Sequence, residues 1–187
     1  MNTRERVFIG LDLSRYFLDT IPMVRSTIVD KRGFIKWVSG KKLHLTLSFL
    51  GQIESSQIES LNKKLNIISD FDSFNITVNG TGSFAYEGTP RVLWLGINEG
   101  KVELNKIQTK IDSIATPYKE NNKKEDFIPH ITIGRIKPGK NFDLSTFSNA
   151  VYSDIKIPVK TIYLFKSQLL ESGVKYSVIS EYALKQS

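Results

Sequence analysis

Read as a pattern of apolar and polar positions, the chain falls into short apolar strands and amphipathic helices that recur in the same order in its two halves. VFIGL at 7–11 and LWLGI at 93–97 are apolar runs of strand length. HLTLSFLG at 44–51 and HITIGR at 130–135 alternate with period two, as a strand buried on one face does. Between each apolar run and its alternating partner lies a helical pattern. In the second half Leu104, Ile107, Ile111 and Ile114 repeat at helical spacing, and Pro117 ends the run. The first half is less regular: Ser14 is placed to cap a helix through Tyr16, Phe17 and Ile21, which Pro22 kinks or divides. A further helix is predicted from Ser56, where SQIE at 56–59 reads as a capping box, through Ile58, Leu61, Leu65 and Ile68. Further strands are predicted near 74–79, 91–97, 130–136, 155–166 and 174–183, with glycine-rich turns at 80–82, 88–90 and 172–173.

The repeat has a fixed offset. His44 and His130 are separated by 130 − 44 = 86 residues, and the same offset lays VFIGL on LWLGI with Gly10 on Gly96. Two strand-helix-strand units of one plan predict an α+β fold: two lobes related by an approximate twofold axis, mainly antiparallel sheets flanked by helices, and histidine strands facing each other across a central cleft. No Ser/Gly-rich linker separates the halves, so residues 1–187 are read as a single two-lobed domain.

His44 and His130 are the only histidines, and each is followed by aliphatic, threonine, aliphatic. At ordinary residue frequencies that coincidence arises roughly once in ten thousand such chains. On a strand, His44 and Thr46 share one face while Leu45 and Leu47 share the other, and His130 and Thr132 repeat this. A single such pair is more often an ordinary half-exposed strand than a site; the doubling reverses that weighting. Two imidazoles in one cleft supply a neutral base and a charged acid near neutral pH, and the threonine hydroxyls can hydrogen-bond phosphoryl oxygens. Such a set suits in-line attack at phosphorus with no metal and no cofactor. A zinc site is disfavoured, because there are two histidines, no cysteine and no carboxylate within the motifs, which leaves Glu125 and Asp126 as the nearby candidates.

Charge narrows the partner. Lys+Arg number 26 against 19 Asp+Glu, for a formal charge of +7, which favours a polyanion such as nucleic acid. Lys41–Lys42 and Lys123–Lys124 lie just upstream of the two histidines, although the plain reading of each pair is a solvated face. The basic N-terminus has an apolar run only from Val7 to Leu11, broken by Asp12, and no stretch approaches the length of a membrane span. A soluble, cytoplasmic protein acting as a monomer is the expectation.

At these residues the chain resembles the two-histidine phosphoesterase superfamily, whose signature is a pair of H-x-T-x motifs. More closely it resembles the bacterial and archaeal RNA 2′,3′-cyclic phosphodiesterases, once named 2′-5′ RNA ligases. VFIGLDL, WVSGKKLHLTLSFLG, RVLWLGI, FIPHITIGR and LFKSQLLESGVKYSVI occur in that family's order and spacing. The resemblance implies metal-independent opening of an RNA terminal 2′,3′-cyclic phosphate to a 2′-phosphate, with a weak reverse joining through a 2′-5′ bond. It implies that His44 and His130 are the acid-base pair, that Thr46 and Thr132 hold the phosphate together with Arg135, and that Phe49 lies beside the terminal nucleobase. Trp37, Tyr86 and Trp94 are rival stacking candidates, and core packing is the alternative for Phe49. Two departures stand out: many relatives have arginine where this chain has Ile128 and Lys166. Strict alternation puts Phe49 and Arg135 on the face opposite the histidines, and for Arg135 it calls for a bulge or strand end at Gly134. Within the superfamily, 2′-5′ oligoadenylates and small cyclic nucleotides are the other substrates to weigh; outside it, a non-catalytic nucleotide or RNA binder is the rival.

Overall fold

The computed structural model describes residues 3–17, 20–121, 126–140, 142–148, 152–171 and 173–186. Nine strands form one sheet among them: β1 (Arg4–Asp12), β2 (Ile35–Trp37), β3 (His44–Glu54), β4 (Phe74–Tyr86), β5 (Thr89–Glu99), β6 (His130–Ile136), β7 (Ile155–Val159), β8 (Thr161–Leu170) and β9 (Gly173–Ala183). The helices are α1 (Thr20–Ser26), α2 (Ser55–Leu65), α3 (Lys101–Ala115) and the single turn α4 (Ser145–Ser148). The strand order is β7-β4-β5-β6-β3-β1-β8-β9, with β2 added to β6. Every pair of named strands is antiparallel.

That order is symmetric about the junction of β3 and β6, where Leu45 stands opposite Ile131. Outward from it, β3-β1-β8-β9 corresponds to β6-β5-β4-β7, so the two histidine strands are the innermost of an α+β, two-lobed sheet. The repeat keeps one offset in sequence and is shifted in pairing: Gly10 lies across from Thr46, but Gly96 lies across from His130.

One face of the sheet makes the core. Val7, Ile9, Leu45, Leu47, Leu93, Leu95, Ile131 and Ile133 are all buried, as are Leu61 and Leu65 of α2 and Leu104, Ile107 and Ile111 of α3. Each such side chain contributes roughly 1.5–3 kcal/mol by leaving water. With one face committed to the helices, the alternate residues of β3 and β6 are left to line the cleft. Entry into α3 depends on Gly100 at φ +81°, where a Cβ would stand 2.5 Å from the Asn75 carbonyl oxygen. Among the described residues no helix is long and apolar enough to cross a membrane.

Four local expectations are corrected. The capping box of α2 is Glu54 with Gln57, whose Oε1 accepts the Glu54 N–H at 3.2 Å, while Glu59 instead pairs with Lys63 at 2.7 Å. The helix from Ser14 is a 3-10 turn over Ser14–Tyr16 followed by α1, with Pro22 in the first turn, where its missing N–H costs nothing. Residues 155–166 are two strands, separated at Lys160. Gly80 and Gly82 lie inside β4 rather than in a turn, because Gly82 makes room for a ring: a Cβ there would stand 2.1 Å from the Trp94 indole.

Candidate active site

β3 and β6 begin with their histidines, and the two imidazoles are held alike. His44 Nδ1 donates to the Lys42 carbonyl at 2.8 Å, and His130 Nδ1 donates to the Ile128 carbonyl at 2.7 Å. A carbonyl can only accept, so each ring carries its proton on Nδ1 and keeps the Nε2 lone pair for a ligand. Burial is the largest influence on both rings and lowers both pKa values, partly opposed by those carbonyl bonds. His130 and Arg135 also repel the charged form of His44, while Asp12 favours it; Arg135 repels that of His130. Thr46 and Thr132, two residues on, are half-buried on the same face as their histidines.

The face conflict at Phe49 and Arg135 is resolved by two bulges. On β3, Ile9 pairs with Ser48 and Gly10 with Thr46, which leaves Leu47 as the extra residue. On β6, Leu93 pairs with Gly134 and Trp94 with Thr132, which leaves Ile133 as the extra residue. The inserted residues are themselves related by the repeat offset, 133 − 47 = 86. Each bulge flips the phase of alternation, so Ser48 turns into the core and Phe49, across from Phe8, emerges on the histidine face, 48% exposed. Arg135 emerges likewise, across from Val92, next but one to Trp94 on β5. Phe49 and Arg135 are thus equivalent positions, an aromatic in one lobe and a guanidinium in the other.

Ser48 shows what holds the first bulge. Its buried hydroxyl donates to Asp112 Oδ1 of α3 at 3.0 Å, and Lys119 caps the same carboxylate oxygen. At the second, Gly134 lets β2 pack closely: a Cβ there would stand 2.7 Å from Ile35 Cγ2 and 3.1 Å from the Trp37 ring.

Aromatic rings frame both imidazoles. Phe8 lies 5.0 Å and Tyr176 4.9 Å from His44 between ring centroids; Phe84 lies 4.7 Å and Trp94 6.2 Å from His130. The Arg6 guanidinium sits 5.0 Å over the Phe49 ring. Burial raises the Tyr176 pKa, and the charges of Arg135 and Arg6 both act against that rise. Neither arginine has an ion-pair partner among the described residues. Lys36 stands directly across from Arg135 on β2, a like-charge pairing that is unfavourable without an anion between the two.

The sequence reading passed over Phe8, Arg6, Tyr176 and Phe84. Period two along RERVFIGLD carries a usable signal, since Arg6, Phe8, Gly10 and Asp12 share one face of β1; nothing comparable marks Tyr176 or Phe84 without the strand pairing. Of the rival stacking residues, Trp94 borders His130, Trp37 packs under Arg25 at 5.2 Å, and Tyr86 is 68% exposed at the β4–β5 tip. Lys166 pairs across from Val7 on the core face, bonded to Glu5 at 2.6 Å, so the departure from arginine there faces away from the cleft. Ile128 is largely exposed and orients His130 through its carbonyl, a bond any residue type can make. Lys41 and Lys42 form the 3-10 turn leading into His44. Lys123, Lys124 and Glu125 lie outside the described residues. Among the described residues no three His, Asp or Glu side chains are grouped to hold a metal ion.

Residues 25–94 match the family model described as LigT like Phosphoesterase. A Thermotoga maritima protein named RNA 2′,3′-cyclic phosphodiesterase is 32% identical over 181 residues, 94% of each chain. An Aquifex aeolicus protein of the same name is 31% identical, over 96% of this chain and 97% of its own. The crystal structure of Escherichia coli LigT complexed with 3′-AMP matches with a TM-score of 0.82 at 22% identity, covering 98% of this chain and 99% of that one. A Thermus thermophilus structure matches at 0.81 and 23% identity, covering 97% and 98%.

Proposed function

This chain belongs to the RNA 2′,3′-cyclic phosphodiesterase family of LigT-like phosphoesterases, and from that premise we propose that it opens 2′,3′-cyclic phosphates at RNA ends to 2′-phosphates with side chains alone. The observation that carries the reading is the pair of equivalent imidazoles, each tied through Nδ1 to a carbonyl two residues earlier, on neighbouring strands that also present Arg135.

With the cyclic phosphate between the histidines, one Nε2 takes a proton from water as its oxygen attacks phosphorus. The other, protonated, gives a proton to the departing 3′ oxygen, and the phosphate stays on the 2′ oxygen. We assign His44 as the acid and His130 as the base on one asymmetry of position: Asp12 stands across the ladder from His44 and favours its imidazolium, against burial, His130 and Arg135, whereas the residue across from His130 is Gly96. Arg135 and the Thr46 and Thr132 hydroxyls take the phosphoryl oxygens, where negative charge builds at attack. Phe49, under Arg6, stacks on the terminal nucleobase. An RNA 5′-hydroxyl in the place of water runs the same proton transfers to a 2′-5′ bond, the weak joining reaction.

The test is incubation with a nucleoside 2′,3′-cyclic phosphate in excess EDTA, followed by product analysis. Accumulation of the 2′-phosphate is expected. A 3′-phosphate product would reverse the leaving group, and activity abolished by EDTA and restored by a metal would end the side-chain-only mechanism.

A further inference from the structure

Beside His130 lies a cavity of about 470 Å³ that the reaction above does not use. It begins at Ile128–Pro129, immediately before His130, and at Trp94, and runs between β5 and the start of α3. Its lining brings Asn79, Asn98, Asn105 and Lys101 together with the aromatic residues Trp94 and Phe127. Asn98, Lys101 and Asn105 are exposed and make no side-chain bond among the described residues, and the buried Trp94 indole N–H has no partner. Of the three amides Asn79 is engaged: it donates to Asp154 and accepts the Gly80 N–H. A buried indole N–H without an acceptor is uncommon. The volume lies within the range of small-ligand pockets, roughly 300–1,000 Å³.

The other lobe supplies an internal comparison. At the corresponding place, between the end of β1 and the turn before β8, the cavity is about 170 Å³ and its wall includes Asp12, Arg15 and Lys160. At the repeat offset, Asp12 corresponds to Asn98 (98 − 12 = 86) and Arg15 to Lys101 (101 − 15 = 86). The cation is kept and the carboxylate becomes an amide. Asp12 is committed to its own lobe, where it accepts the Ser14 N–H at 2.9 Å. The second-lobe cavity therefore has over twice the room and no carboxylate directly in its wall. Aromatic faces for a base, amides for base edges or a ribose hydroxyl, and an unpaired ammonium for a phosphate together make the chemistry of a nucleotide.

Resting on the activity proposed above, we infer that this cavity is the subsite for the nucleotide immediately 5′ of the cyclic end, so that the RNA body leaves the cleft over the second lobe. Phe49 in the first lobe holds the terminal base, and Lys101 meets the phosphate joining the last two nucleotides.

The experiment compares a mononucleoside 2′,3′-cyclic phosphate with a dinucleotide ending in the same group. Wild-type protein should show a higher kcat/KM for the dinucleotide. Asn98→Asp, which restores the carboxylate of the other lobe, and Lys101→Gln should each lower kcat/KM for the dinucleotide by about tenfold, the worth of one charge-assisted contact, and leave the mononucleotide unchanged. Lys160→Gln, in the first-lobe cavity, should change neither. The inference is overturned if both substrates lose equally in the second-lobe variants, or if neither loses. A separate readout is the fluorescence of Trp94 in a Trp37→Phe background. A dinucleotide bearing a terminal 2′-phosphate should perturb it, and Lys101→Gln should weaken that binding. Binding of this kind without turnover of either substrate would remove the proposed activity and leave the subsite standing.

Discussion

Asp12 stands directly across the β1–β3 ladder from His44, whereas the residue across β5–β6 from His130 is Gly96. Sequence and pairing both set the difference: the residue at the repeat offset from Asp12 is Asn98, and the registers differ by two residues, so only one imidazole gains a carboxylate neighbour. Directly paired Cα atoms are about 4.5–5.5 Å apart, close enough for the carboxylate to favour imidazolium at His44. That carboxylate biases His44 toward the acid role proposed above, acting against burial and the His130 and Arg135 charges, which lower its pKa.

Asp12→Asn should test that bias, since the amide can still accept the Ser14 N–H. Removing the carboxylate lowers the His44 pKa further. An acid must be protonated to work, so activity should fall on the alkaline side of the pH profile, the acid side should be unchanged, and the optimum should move to lower pH. Were His44 the base, the same substitution would instead extend activity toward acid pH.

His44→Ala and His130→Ala should each reduce turnover by about 10²–10⁴-fold, the usual contribution of a positioned general acid or base. Because both act in one step, the double variant should lose far less than the product of the two. Circular dichroism should show both folds intact. Near-normal hydrolysis by either single variant refutes the acid-base assignment.

The innermost strands and their histidines were legible because period-two alternation and an 86-residue repeat are local properties of the chain. Which way Phe49 and Arg135 face was not. Alternation predicts the wrong face for both, and the bulges at Leu47 and Ile133 that correct it depend on how β3 pairs with β1 and β6 with β5. Gly80 and Gly82 read as a turn because glycine marks turns, yet Gly82 is small so that Trp94 can cross it. The α2 cap was misplaced by two residues because S-x-x-E and E-x-x-Q overlap there, and only the backbone angles select Glu54. Phe8, Tyr176 and Phe84 meet the histidines from strands distant in sequence, a relation that no single segment encodes.

Arg135→Lys keeps the charge and loses the planar fork that can engage two phosphoryl oxygens, so kcat should fall noticeably. Arg135→Ala should cost more, about 10²–10³-fold, as for other groups aimed at developing charge. Arg135 lowers the pKa of both histidines. Its removal should therefore raise both, and the rising limb that reports the base His130 should move to higher pH. Unchanged kinetics with an unchanged pH profile would return Arg135 to the status of a surface residue.

The Asp112 carboxylate joins the core to the cleft, and it supports the last prediction. It accepts from the buried Ser48 hydroxyl and from Lys119, and Ser48 is the residue turned inward by the bulge that turns Phe49 outward. Asp112→Ala strands a buried hydroxyl and a largely covered ammonium, at a cost of about 1–3 kcal/mol. Thermal unfolding should register that loss as a lower Tm. Ser48→Ala removes the hydroxyl itself, leaves the Lys119–Asp112 pair in place, and should cost about 1 kcal/mol or less. If the bulge depends on this tie, Asp112→Ala should also raise KM for a nucleoside cyclic phosphate, because Phe49 is no longer held at the cleft, while kcat at saturation changes little. A lower Tm with an unchanged KM would show that strand pairing alone maintains the bulge. An unchanged Tm would show that Asp112 does not anchor it.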